Sequence, residues 1–129
     1  MIRIDPTAGT AIYEQIINQY KEAILKGYLK EGDLIPSVRK LAMELSITPN
    51  TVAKAYSELE RQKIIVTVRG KGTFISSRPK ERPSRERQEA VEEALKNKIV
   101  ALKMLDFSRS EILEMAGRIY DELEGEDSE

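Results

Sequence analysis

The four residues Ser46-Ile47-Thr48-Pro49 interrupt an otherwise continuous helical period, and that break constrains the whole chain. Before it, Val38, Leu41, Ala42 and Leu45 fall on one face; after it, Val52, Ala55, Tyr56 and Leu59 do the same. Ser37 is placed to cap the first segment, because its hydroxyl can accept from backbone N–H groups that lack an intrahelical partner. Thr48 stands at the corresponding place before the second, with Pro49 at the first helical position, where a missing N–H costs nothing. Two short helices joined by a turn of about four residues make a helix-turn-helix corner. The second helix turns Asn50, Thr51 and Lys54 outward in its first turns, a set able to meet base edges and phosphates beside an anion-attracting helix N-terminus. Many small helical proteins hold such a corner with no nucleic-acid role, so the surrounding chain has to decide.

The 129 residues allow one modest core, or one domain and a small appendage. One third of the residues are charged and only 5% are aromatic, which suits a soluble helical protein. No signal-like leader and no run near the ~20 apolar residues of a membrane span occurs, so the expected location is the cytoplasm, with no membrane partner. Cysteine and histidine are both absent. That excludes disulfides, thiolate metal sites and the usual near-neutral general base, leaving mainly carboxylates for any metal. The net charge of −1 conceals an asymmetry: residues 1–79 hold 12 Lys and Arg against 8 Asp and Glu, net +4, while residues 80–129 hold 9 against 14, net −5. The positive half contains the corner. Over residues 61–85, eight cations face Glu81 alone, a balance suited to a polyphosphate partner.

Ahead of the corner, Ile2 and Ile4 alternate with Arg3 as a short edge strand would, ended by Asp5-Pro6. Thr10 is a candidate cap for a helix carrying Ile12, Ile16, Tyr20, Ala23 and Ile24 on one face, closed by Gly27 with positive φ. Leu29, Leu34 and Ile35, in the linker to Pro36, are expected to tuck beneath the helices. After the corner, Ile64 to Val68 is rich in β-branched residues, and a second strand, Thr73 to Ser76, follows Arg69-Gly70-Lys71-Gly72. Such a hairpin directly after a helix-turn-helix is a wing, its doubly basic glycine-rich tip placed to run along a groove or the phosphates beside it. A nucleotide-binding phosphate loop fails on spacing, since Ile65 and Gly72 stand where it needs Gly and Ser or Thr.

Residues 78–83, with two prolines and alternating charge, read as a linker between a domain over 1–77 and a module over 84–129. Ser84 can cap a helix whose stripe is Val91, Ala94, Leu95, Ile99, Leu102 and Leu105, with Arg85/Glu89 and Glu92/Lys96 as exposed pairs. Ser108 and Glu111 then form a capping box, Phe107 and Ile112 a hydrophobic staple, and Ile112, Met115, Ala116, Ile119, Tyr120 and Leu123 continue one face. An acidic tail ends the chain. The expected fold is therefore mainly α with a small β-hairpin: an N-terminal winged helix-turn-helix and a C-terminal two-helix hairpin. Two amphipathic helices cannot bury both apolar faces alone, so Val91, Leu95, Ile99, Leu102, Leu105, Ile112, Met115, Ile119, Tyr120 and Leu123 are candidates for contact with a second copy.

Three ordered blocks resemble the GntR family of bacterial transcription regulators. They are Ile12 to Ile16; Gly27 to Ala42, including Pro36-Ser37-Val38-Arg39; and Pro49-Asn50-Thr51-Val52, followed by Ala55-Tyr56, Leu59-Glu60 and Gly70-Lys71-Gly72-Thr73-Phe74-Ile75. The short helical C-terminus is similar to that of its YtrA-type branch. The resemblance implies a homodimeric repressor of double-stranded operator DNA, with Ser37 and Arg39 at the Pro-Ser-x-Arg motif, Thr48, Asn50 and Thr51 at the start of the reading helix, and Arg69, Gly70, Lys71 and Gly72 at the wing. Pro49 and Ala53 stand where other branches often carry base-reading arginines, which shifts weight to Arg39, Asn50, Thr51 and Lys54. An ion pair of Arg39 with Glu44 or Glu58 is the competing structural role. YtrA-type members commonly accompany transporter genes, which points to an operon of that kind.

No catalytic residue, cofactor or metal set emerges: Glu92, Glu93, Asp121 and Glu122 lie on solvated helix faces without a nucleophile pattern. A protein-interaction module using the C-terminal hairpin is the alternative function. A small-molecule effector of unknown identity would find Met104, Phe107, Met115 and Tyr120 near a dimer interface, although core packing accounts for the same residues.

Overall fold

The structure is a computed structural model and describes residues 2–77 and 84–124. Two compact units divide the chain, the first containing residues 2–77 and the second 84–124. The proposed linker over 78–83 and the last acidic residues, 125–129, lie outside the described residues.

In the first unit the order is α1 (Ile12–Leu25), β1 (Leu34–Ile35), α2 (Val38–Leu45), α3 (Pro49–Arg61), β2 (Ile65–Val68) and β3 (Gly72–Ile75). The core collects one face of each helix: Ile16, Ile17, Tyr20 and Ala23 from α1, Leu41 and Ala42 from α2, Val52, Ala55, Tyr56 and Leu59 from α3. Leu29, Ile35, Ile65 and Ile75 close it from below. At its centre, the Tyr20 and Tyr56 rings meet edge to face, with centroids 5.8 Å apart. Tyr56 donates to the Pro36 carbonyl at 2.6 Å, so the 2.8 Å contact between the two hydroxyls is filled by Tyr20 donating to Tyr56. This relay ties α1 and α3 to Pro36, the residue before the Ser37 cap of α2.

Four helices end by one device. Gly27, Ser46, Lys63 and Asp106 all have positive φ, and the apolar residue after each (Tyr28, Ile47, Ile64, Phe107) donates its N–H to the carbonyl five positions earlier. The left-handed residue turns the chain, and the apolar neighbour folds back over the last turn. Only Gly27 advertises this in the sequence.

Three expectations need correction. Residues Ile2 to Ile4 form no strand: the Gln19 side chain exchanges hydrogen bonds with the Arg3 backbone, and Gln15 accepts from the Asp5 N–H at 2.8 Å, so side-chain amides stand in for a neighbouring strand. Ala11, not Thr10, occupies the α1 N-cap position, and no side chain caps that helix. Leu34 is 64% exposed, because Leu34–Ile35 pairs with β3 as a third strand in the antiparallel order β1-β3-β2, and strand alternation then sends Ile35 inward and Leu34 outward.

The second unit contains α4 (Arg85–Met104) and α5 (Arg109–Leu123). Ser84 caps α4 through the Arg87 N–H, and Ser108 with Glu111 forms the complete capping box of α5. Arg85 and Glu89 pair loosely at 3.9 Å, whereas Glu92 accepts from Gln88 instead of pairing with Lys96. The two helices are consecutive, as expected of a hairpin, yet they do not pack along one another, and neither has a single buried residue.

Replacing Tyr56 by Phe should cost about 1–3 kcal/mol in urea unfolding, since the Pro36 carbonyl and the Tyr20 hydroxyl both lose their partner. Burial pushes both phenols above their ordinary value of 10.0. Their contribution is therefore full below pH 10 and lost as pH rises through the raised folded values. Stability of the parent protein above pH 10 should fall more steeply than that of Y56F. At the wing, Gly72 has φ +129 and an added Cβ would lie 2.8 Å from Leu34 Cδ1. Leu34 can move aside, but the backbone cannot, so Gly72→Ala should destabilise the first unit by at least about 1 kcal/mol in the same assay.

Candidate nucleic-acid interface

The α2 N-terminus is set by Ser37, whose Oγ accepts from the Lys40 N–H at 3.2 Å. Its hydroxyl is thus used in building the helix. Arg39 follows in the first turn, exposed, with no ion pair or hydrogen bond among the described residues. Neither expected competitor holds it. Glu58 accepts from Arg61 Nε at 3.0 Å and from Gln62 Nε2 at 2.6 Å, and these bonds hold its carboxyl down at about 2. Glu44 makes no ion pair among the described residues.

The turn between α2 and α3 is made by Ser46 in the left-handed region, followed by Thr48 at the α3 N-cap position. Thr48 makes no side-chain cap; its hydroxyl lies 3.1 Å from that of Thr51, Pro49 has no N–H and the Thr51 N–H donates to the Thr48 carbonyl at 3.2 Å, which leaves the Asn50 N–H in this turn without a side-chain cap. Pro49 occupies the first helical turn as expected. Asn50 is exposed and without a partner among the described residues, and Thr51 is half-buried.

Lys54 has a different setting. Its ammonium sits 3.9 Å from the centroid of the Tyr13 ring, in a groove between α1 and α3 that Glu14, Ile17, Ser57, Glu58 and Arg61 also line. The adjacent Glu14 carboxylate, followed by partial desolvation, raises the Tyr13 phenol. Lys54 is therefore already engaged by a π face that attracts cations. Tyr13 is the residue that the sequence did not single out for a role. Its side chain reaches α3 only because α1 packs on it, and no local signal marks that crossing.

At the wing, β2 and β3 pair with Val68 opposite Gly72, and the Lys71 N–H closes a turn onto the Val68 carbonyl at 2.9 Å. Gly70, with φ +79, supplies the left-handed residue that this turn requires. Arg69 and Lys71 are exposed at the tip without partners among the described residues. Five polar side chains thus stand unengaged or facing outward on the corner and wing: Arg39, Lys40, Asn50, Arg69 and Lys71.

Of the residues expected to meet a second copy, Ile99, Leu102, Ile112, Met115 and Leu123 are half-buried, while Val91, Leu95, Leu105, Ile119 and Tyr120 are exposed. Met104, proposed for an effector pocket, is 80% exposed.

Comparison with known proteins agrees with this geometry. Residues 12–75, from the first turn of α1 to the end of β3, match the model of the bacterial regulatory proteins of the gntR family. Over 100 residues, 78% of this chain and 77% of the relative, the chain is 52% identical to the HTH-type transcriptional repressor YtrA of Bacillus subtilis. Its fold matches the crystal structure of a transcriptional antiterminator from Listeria monocytogenes with a TM-score of 0.90, at 39% identity, covering 100% of this chain and 96% of that one. YtrA from Sulfolobus acidocaldarius, a GntR-family transcription factor, matches at a TM-score of 0.56 and 34% identity over 94% and 97% of the two chains. These relatives are named as regulators, not enzymes. With a winged helix-turn-helix followed by two short helices, the chain belongs to the GntR family of bacterial regulatory proteins, in its YtrA-type branch, and is a DNA-binding transcriptional regulator.

Proposed function

We infer that the protein is a homodimeric repressor that reads an inverted-repeat operator, in the cytoplasm, and controls a transporter-related operon. The observation that carries the reading is the unpaired, exposed state of Arg39 in the first turn of α2. A guanidinium with five donors and no internal partner is suited to guanine edges or phosphate, and Asn50 and Thr51 add short donors and acceptors in the reading helix. Arg69 and Lys71 on the wing supply phosphate contact. Ser37 contributes by fixing the turn that carries Arg39, and Gly70 and Gly72 by shaping the tip. Lys54, held over Tyr13, is assigned to phosphate at the flank in preference to a base.

The bare faces of α4 and α5 support the dimer. Neither helix buries a residue in the single chain, and a run such as Val91, Leu95, Ile99 and Leu102 needs cover. One winged helix spans few base pairs; a two-fold pair reads two half-sites and gains from effective concentration. The same faces would serve a different protein partner, the alternative function. Sedimentation separates the two: the parent chain should run as a dimer, and Leu102→Glu with Ile119→Glu should yield a folded monomer. A monomeric parent chain would favour the interaction module.

Selection of bound duplexes from a random pool tests the operator. An inverted repeat with half-sites about one helical turn apart should emerge, bound far more tightly than scrambled DNA. On that operator Arg39→Ala should cost about 1–3 kcal/mol and relax discrimination at one base pair, while Lys71→Ala should weaken all sequences alike and lower the salt slope by about 1. Unchanged affinity in R39A would remove Arg39 from the interface.

A further inference from the structure

Where α4 turns into α5, the last turns of one helix and the first turn of the next border a half-open pocket of about 360 Å³, lined by Ile99, Lys103, Phe107, Arg109, Ile112 and Leu113. Four of these side chains are hydrocarbon or aromatic. The other two are both cations, and no carboxylate lines the space. The side chains of Lys103 and Arg109 have neither an ion pair nor a hydrogen bond among the described residues. The acid one turn away, Glu111, is committed to the Ser108 N–H at 2.8 Å.

Both walls are held in place. The Phe107 N–H bonds the Leu102 carbonyl at 3.1 Å behind a left-handed Asp106, and the Ser108–Glu111 capping box fixes the start of α5. The space is therefore preformed, and its volume falls within the range of small-molecule sites. A neutral hydrocarbon would gain nothing from the two cations, and a bare inorganic anion would leave the apolar walls wet. A ligand with both features gains on both counts, through burial of its body and charge-assisted hydrogen bonds to its head.

We propose that this corner binds a small amphipathic carboxylate, such as a medium-chain or aryl-substituted fatty acid. The site shares Ile99 and Ile112 with the faces proposed to meet a second copy, and its use as an effector site, acting on the angle between α4 and α5, rests on the repressor reading.

Calorimetric titration of the full-length protein with sodium octanoate, below its micelle concentration, tests the site. Saturable binding is expected, with octanol weaker by about tenfold or more and the Lys103→Gln/Arg109→Gln double variant weaker by a similar factor at unchanged helicity and sedimentation. Methyl resonances of Ile112 and Leu113 should shift with the same affinity. Absence of saturable binding, equal binding of octanol, or equal binding by the double variant would overturn the site. Loss of the dimer in the double variant would also overturn it, by assigning the corner to an acidic segment of a second copy. Operator affinity measured with and without octanoate tests the effector role separately: a protein that binds octanoate but no DNA would retain the site and lose the repressor reading.

Discussion

The hydrogen-bonded relay from Tyr20 through Tyr56 to the Pro36 carbonyl is the contact on which the rest of the first unit depends. It joins α1, α3 and the residue before the α2 cap with three groups that would each be costly to bury alone. Because Tyr56 can give its proton only once, the direction of the relay is settled, and every buried side-chain polar atom among the described residues has a partner. The relay thus sets where α2 begins relative to α3. That relation determines how Arg39, in the first turn of α2, stands to Asn50 and Thr51 in the first turn of α3.

Electrostatics around this frame divide the cations of the first unit by what they already hold. Arg61 is spent on Glu58 and Lys54 on the Tyr13 ring, while Arg39, Arg69 and Lys71 are unengaged. A cation with an internal partner must surrender it before it can contribute fully to a polyanion, so free cations carry more of the attraction per residue. The cation-rich run over 61–85 therefore overstates the charge available to DNA. Arg61 lies inside that run, yet its charge is returned to the protein.

The second unit departs from what two consecutive amphipathic helices usually do. Capping is complete at the starts of both, and the turn between them is closed by the same left-handed device that ends α1, α2 and α3. Local order is therefore high while mutual packing is nearly absent. Such an arrangement keeps its apolar faces available, and it leaves a half-open pocket with two cations in its lining at the corner between the helices.

Much of this was legible in the residues alone. The apolar faces of α1 and α3, the caps at Ser37, Ser84 and Ser108, the capping box with Glu111 and the glycine-rich wing tip all follow from period, capping chemistry and turn chemistry, which act within a few residues. Three things were not legible for a shared reason. The pairing of Leu34–Ile35 with β3 joins residues some forty positions apart; the helix ends at Ser46, Lys63 and Asp106 turn left-handed without glycine because apolar neighbours hold them; and Tyr13 meets Lys54 only across a helix crossing. The sequence by itself determined which segments are helical, which faces are apolar and which family they build. Tertiary structure alone decided which cations remain free and which edge strand joins the wing, because those outcomes depend on packing between segments whose separation along the chain carries no local signal.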